Sequence, residues 1–238
     1  MYSSVVSEYW SSGRDSDSTP EDHLQVVVDG TAVGRRAVTT LVVVHGPRVV
    51  TVAPAYAERL GLREGELVSE AQLLVRLAEA GIAMNGPDHL FYLPLEKVPA
   101  VQSELPYAGT RRLTPEDSAE FERFCATAPA ADLDEAFVEL DHWLVYGTFA
   151  DDRLVAAASM YPWGDTKLAD LGVIALPGYR GKGYAKTTVR AISAHAIADG
   201  YEPQYRCQID NAPSIALALA AGFELFGQCD VLAEDSSP

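Results

Sequence analysis

The chain has 238 residues, 48 % apolar and 22 % charged, with 34 acidic against 18 basic side chains and a formal net charge of -16. That composition suits one large or two small domains with a real core, and the acid excess argues against nucleic acid as a partner, because duplex binding rests on Lys and Arg neutralising phosphates. No uninterrupted apolar run approaches the ~18 residues of a membrane span, residues 1–22 lack the basic start and apolar centre of a signal peptide, and Cys125, Cys207 and Cys229 form neither a metal set nor a disulfide framework, so a reducing, cytoplasmic location without metal or membrane is expected.

Residues 1–22, rich in Ser and Asp, read as a flexible leader in which Tyr9 and Trp10 are able to dock on the body. A first block, 23–109, opens with a strand over Leu24–Val28 that ends at the Asp29-Gly30 turn. Leu41–Val44 and Val49–Val52 are β-branched runs joined through His45-Gly46-Pro47-Arg48 as a hairpin. Helices are expected over Ala55–Leu60 and Val68–Ala80, the second stopped by Gly81. His89–Leu93 is a further strand, and Pro94–Gly109 a linker.

The second block, 110–238, begins with a short strand at Arg111–Leu113. Thr114-Pro115-Glu116-Asp117 then carries an N-cap, a proline at the first helical position and acids in the first turn of a helix reaching Ala126. A second helix is expected over Leu133–Trp143, followed by strands at Leu144–Phe149, Leu154–Tyr161 and Leu168–Ala175. The last of these is apolar except for Asp170 and therefore central. A helix over Tyr184–Asp199 buries Ala185, Val189, Ile192 and Ala196 along one seam. Gln204–Ile209 is a strand, Pro213–Ala221 a helix closed by Gly222, and Phe223–Phe226 with Cys229–Leu232 the final strand material.

From Leu171 to Ala198 this acidic chain carries no acid, and inside that window lies Pro177-Gly178-Tyr179-Arg180-Gly181-Lys182-Gly183-Tyr184-Ala185. A cationic, glycine-rich turn before a helix offers backbone N–H groups and a helix N-terminus to an anion. A nucleotide P-loop needs a hydroxyl after its lysine, but Lys182 precedes Gly183. A dinucleotide fingerprint needs a third glycine where Lys186 stands, and an acid about 20 residues on in a βαβ setting, which is missing.

Arg180, Gly183 and Ala185 do fit R-x-x-G-x-A, and Asn211, Ser214 and Leu217 followed by Gly222-Phe223 fit N-x-x-[AS]-x-x-L…GF. With these two stretches and their element order, residues ~110–232 resemble the GNAT superfamily of acyl-CoA-dependent N-acyltransferases. The resemblance implies an α/β (α+β) fold, a mixed sheet flanked by helices, here preceded by a smaller α+β block that is either a degenerate relative of that fold or an unrelated cap. It implies acetyl-CoA as co-substrate. Amides of Arg180, Gly181, Lys182, Gly183, Tyr184 and Ala185 would face its pyrophosphate, and the strand edge Val173 to Ala175 would pair with its pantetheine arm. The Ala175 N–H would polarise the thioester carbonyl, and Asn211 and Ser214 would line the pantetheine or thiol end. Lys182 is read equally as ligand or solvated surface, Lys186 and Arg190 as surface.

The implied activity is acetyl transfer to a primary amine, on a small molecule or a peptide; a homodimer is left open. Asp170, the only ionisable side chain of its strand, is the best candidate for the base, against a strand-end carboxylate that faces solvent or pairs with a neighbour. Glu139, Asp141 and His142, at the end of the second helix, lie on the acceptor side of such folds, as a cation site or a solvated helix face. Tyr161 and Trp163 border the acceptor groove or belong to the core, and His195 reads as structural. Many family members place an acid tyrosine seven residues after the helix-start asparagine. Here that residue is Ala218, so the thiolate takes its proton from water or another group. The alternative reading is a non-catalytic acyl-CoA-binding or sensing module.

Overall fold

The structure is a computed structural model and describes residues 1–11, 19–105 and 107–233. Helix α1 (Ser4–Ser11) is followed by β1 (His23–Val28), the hairpin β2 (Val38–Val43) and β3 (Arg48–Val52), then α2 (Pro54–Leu60), β4 (Leu67–Ser69), α3 (Glu70–Glu79), β5 (Asp88–Tyr92) and α4 (Val98–Ser103). There follow β6 (Thr110–Arg112), α5 (Ser118–Thr127), α6 (Ala130–Ala136), β7 (Leu144–Ala150), β8 (Arg153–Pro162) and β9 (Leu168–Ala175). The chain continues with α7 (Tyr184–Ala198), β10 (Glu202–Gln208), α8 (Ala212–Ala221) and β11 (Glu224–Val231). This is the expected mixed α/β class. No helix among the described residues is long and apolar enough to cross a membrane.

Contacts divide the chain into two compact units that are discontinuous in sequence, unlike the expected blocks 23–109 and 110–238. One comprises Met1–Trp10, Phe91–Arg206 and Asn211–Glu224; the other comprises Ser11–Leu90, Cys207–Asp210 and Leu225–Pro238. In the first, strands run in the order β10-β9-β8-β7-β6. β6, β7, β8 and β9 are antiparallel neighbours, and β9 pairs β10 in parallel. Phe121 and Phe124 of α5 and Val138 beyond α6 pack on Ala157 and Ile174, so α5 and α6 cover one face. α7 packs on β7 and β8 through fully buried Val189, Ile192 and Ala196, three of the four residues of the expected seam, while Ala185 is only half-buried.

The second unit has the order β4-β1-β3-β2-β11. Leu24, Val26, Val50 and Val52 form its core with Tyr56, Leu60, Leu73 and Leu77 of α2 and α3. β11 joins this sheet by antiparallel pairing with β2, from Gly227↔Val43 to Val231↔Thr39. The C-terminal strand thus completes a sheet begun near the N-terminus, and a single cut at residue 109 does not separate the units.

Five local expectations are corrected. In the leader, α1 is ordered structure with Val6 and Trp10 buried; residues 12–18 of that leader lie outside the described residues. Trp10 Nε1 donates to Tyr92 Oη at 2.6 Å, which ties the helix down. The linker contains α4, whose Val101 is 1 % exposed. The helix from Val68 starts only at Glu70, because Leu67–Ser69 pairs with β1 and Ser69 forms a capping box with Gln72. The final strand is continuous. The helix expected over Leu133–Trp143 ends at Ala136, because Phe137 turns left-handed at φ 47° and its N–H returns to the Leu133 carbonyl. No glycine or proline in 137–143 announces that stop.

Two outcomes are expected. Deleting residues 1–109 leaves β11 without β2 and exposes an edge, so the truncated protein precipitates; a soluble, folded monomer contradicts this. At Gly172 an added Cβ lies 1.9 Å from the Ala136 carbonyl oxygen. Gly172→Ala therefore costs about 2 kcal/mol or more in urea unfolding, whereas Gly178→Ala, with open space around it, stays within roughly 0.5 kcal/mol.

Candidate active site

β9 and β10 run in register only from Leu168↔Glu202 to Leu171↔Tyr205. Both strands continue, but their pairing does not. Leu176 N–H donates to the Val155 carbonyl next to β8, and Glu202 N–H donates to the Lys167 carbonyl on the other side. Strand alternation therefore turns the backbone groups of even-numbered β9 residues to β8 and those of odd-numbered residues to the β10 side. Beyond Leu171 these are Val173 and Ala175, whose edge has no strand partner among the described residues. The Ala175 carbonyl accepts from Arg180 Nε at 3.1 Å. The Val173 N–H and carbonyl and the Ala175 N–H remain along an open edge.

The glycine-rich loop follows directly. A 3-10 turn at Pro177–Tyr179 leads to Arg180 in extended conformation, and Gly181 and Gly183 have φ of 74° and 87°. L side chains avoid that region, which accounts for both glycines. Gly183 caps α7 without offering a side-chain acceptor. The first helical bond runs from Thr187 N–H to the Gly183 carbonyl, so the N–H groups of Gly183, Tyr184, Ala185 and Lys186 precede the hydrogen-bonded ladder. They sit at the positive end of a four-turn helix.

The cations around this cradle divide by role. Arg180 pairs with Asp132 of α6 and braces Ala175. Lys182 Nζ donates to the Gly178 carbonyl at 3.1 Å and lies 5.1 Å from the Tyr179 ring centroid, at the loop itself. Arg190 ties α7 to Glu104 and to the Ala221 carbonyl and is structural. His195 is held by Tyr146 Oη at 2.9 Å and lies 3.5 Å from Asp199. A groove of about 460 Å³ lined by Val101, Tyr146, Arg190 and His195 contains none of the expected donor-site residues.

On α8, Asn211 serves the helix. Its Oδ1 accepts from Ser214 N–H at 3.0 Å, and its Nδ2 donates to Glu135 of α6. Ser214 Oγ is 2.8 Å from the hydroxyl of Tyr205, the last β10 residue before the strands part. Ala218 is fully buried and presents no hydroxyl.

Asp170 is buried on β9 as expected, but its oxygens are occupied. Oδ1 accepts from Gln204 Nε2 at 2.9 Å and from Arg206 Nε at 3.4 Å; Oδ2 accepts from Arg206 Nη2 and from Tyr161 Oη, each at 3.0 Å. Four donors fill the four acceptor directions of a carboxylate, and none is left for a substrate proton. Asp170 is the hub of a network, not a poised base. Gln204 accepts from Tyr92, which accepts from Trp10 of α1. Arg206 stacks 4.8 Å from the Trp163 ring, and Trp163 donates to Tyr9 Oη at 2.9 Å. Polar residues inside a predicted strand, Gln204 and Arg206, were the available sign of this network.

The segment after α6 brings the expected acceptor-side residues together, as a loop and not a helix end. Phe137, His142 and Tyr161 contact one another, with ring centroids 5.0 to 5.7 Å apart. His142 Nδ1 is 2.8 Å from Ser159 Oγ, and its Nε2 is 3.6 Å from the Glu139 carboxylate. Burial lowers the His142 pKa against the opposing pull of Glu139 and Asp141. Burial, aided by the Asp170 carboxylate, pushes the Tyr161 phenol far above its usual range. Ser159 pairs with Gly172, next to Val173. Gly172 itself admits the Ala136 carbonyl, so the missing Cβ lets α6 end over β9 and sets Phe137 beside it. A glycine inside an apolar strand was the sequence sign of such an approach.

Residues 111–223 match the model of the acetyltransferase (GNAT) family. Similar solved structures include a GNAT-family protein from Novosphingobium aromaticivorans, 23 % identical with a TM-score of 0.49 over 64 % of this chain and 66 % of that one. Another is an acetyltransferase of the family from Colwellia psychrerythraea, 18 % identical with a TM-score of 0.48 over 69 % and 63 %. This chain thus spans about two thirds of the length of each. An aminoglycoside N-acetyltransferase solved with CoA is 23 % identical with a TM-score of 0.38 over 49 % of this chain and 92 % of that one. No curated protein matches the sequence. The open edge of β9, the glycine cradle and the family match on residues 111–223 identify that segment as a domain of the GNAT acetyltransferase superfamily.

Proposed function

We propose that this protein transfers an acetyl group from acetyl-CoA to a primary amine, on a small molecule or a peptide. The observation that carries this reading is the continuity of unused backbone donors, from Val173 and Ala175 on the β9 edge to Gly183–Lys186 at the start of α7. An extended amide-bearing arm ending in a pyrophosphate fits both parts: the edge suits the pantetheine amides and the cradle suits the phosphates. When bound, acetyl-CoA supplies an activated thioester. The residues 180–186 and Lys182 hold its anionic end, the Val173–Ala175 edge aligns its arm, and an N–H on that edge polarises the carbonyl.

A second reading, binding without turnover, is favoured by two observations: Ala218 offers no proton to a leaving thiolate, and Asp170 has no free lone pair. Thiol release with acetyl-CoA and a panel of amines separates the two, since a sensor binds the donor and releases nothing. For donor binding itself, acetyl-CoA at roughly 100 times its Kd adds about 2.7 kcal/mol, which raises Tm by about 5 °C or more in a chain of this size. Gly183→Val forces a β-branched residue to φ 87° and is expected to abolish that shift. An unchanged shift in the variant, or none in the wild type, refutes the assignment of the cradle.

A further inference from the structure

Within the acetyl-transfer reading, on which this inference rests, one question is which group deprotonates the amine. The four donors on Asp170 disqualify it. His142 is the opposite case. Its side chain is 11 % exposed, and the Glu139 carboxylate beside it is 50 % exposed. Ser159 Oγ already accepts from the Glu139 N–H at 3.4 Å and has a second lone pair for an Nδ1–H. That tautomer leaves the Nε2 lone pair free on the Glu139 side. Phe137 adds an independent sign. It is a large aromatic residue, 50 % exposed, held at φ 47° and ψ 52° against His142 and Tyr161. Left-handed backbone at a bulky residue is strained, and such strain clusters at ligand clamps.

We propose that His142 is the general base of this domain and that Phe137, Tyr161 and Glu139 receive the acceptor as a primary ammonium on an apolar stem. The carboxylate of Glu139 draws the cation, and the exposed Phe137 ring packs the stem. His142 Nε2 takes one proton from the ammonium. The freed nitrogen lone pair then forms the C–N bond to the thioester carbon as the C–S bond breaks. The second nitrogen proton leaves with the sulfur as thiol, and the first passes from the imidazolium to solvent, with Glu139 stabilising the imidazolium meanwhile. The charged and titratable groups around His142 are Glu139 and Asp141 on its own segment and Tyr161 on β8, behind which lie Asp170 and Arg206. Asp170 acts through Tyr161 as a positioning residue.

The test uses the full chain with phenethylamine as probe and ethanolamine as its apolar-stem control. His142→Gln is expected to lower kcat/KM by about 100-fold or more, the scale of a lost general base. It should also remove the acidic limb of the pH profile, while the acetyl-CoA Tm shift is unchanged. Phe137→Ala should raise KM for phenethylamine about tenfold with kcat nearly constant. Asp170→Asn should unfold more easily yet keep the acidic limb. In the wild type, nitrogen-detected NMR should find the neutral His142 ring protonated on Nδ1. The proposal is overturned by an Nε2–H tautomer, by activity of His142→Gln within about threefold with its acidic limb intact, or by loss of that limb in Asp170→Asn. Preference for ethanolamine also overturns it, as does donor binding without acetylation of phenethylamine. Absence of any acetyl-CoA shift instead fails the donor-site reading.

Discussion

Everything at the candidate site depends on the parting of two parallel strands. β9 and β10 share four rungs and then lose each other after Leu171 and Tyr205. Buried backbone N–H and carbonyl groups are nearly always paired, so an unpaired edge in the middle of a sheet asks for a partner that is not strand. Arg180 satisfies one carbonyl of that edge. The remaining groups lead without interruption into the glycine cradle and the helix behind it. The proposed donor site follows from this one topological event, and the chemistry of individual side chains is secondary to it.

The same event explains the polar network on the α5/α6 face. Asp170 and Gln204 share a rung just before the split, and Arg206 comes just after it. A carboxylate and a guanidinium placed there, with Gln204, Tyr161 and Tyr92 filling their remaining sites, pin the two strands at the point where they begin to separate. Leaving any of these groups half-satisfied is costly in a buried setting, which accounts for the reach of the network to Trp10 and Tyr9 of α1. The acid that was the best candidate base in the sequence is therefore a paired carboxylate that ties the strands together where they part. The groups left with room to act stand two residues further along β9, where Gly172 lets α6 end and Phe137 and His142 come over the strand.

The sequence by itself determined the glycine-rich loop and the elements on either side of it. Glycines at 181 and 183, the absence of acid from Leu171 to Ala198 and the apolar strand before them are local features, and local steric and electrostatic rules read them correctly: both glycines have positive φ, and the helix starts at Tyr184. The strand Leu168–Ala175 was legible to the residue for the same reason. Tertiary structure alone decided the rest. Whether Asp170 is a base or a hub depends on Gln204 and Arg206, more than 30 positions away, and on Tyr161 across the ladder. Where α6 stops depends on space made by Gly172 on another element. That β11 pairs with β2, about 190 positions back in the sequence, has no local signature at all, because the choice of a strand's partner is made by long-range burial and not by the strand's own residues.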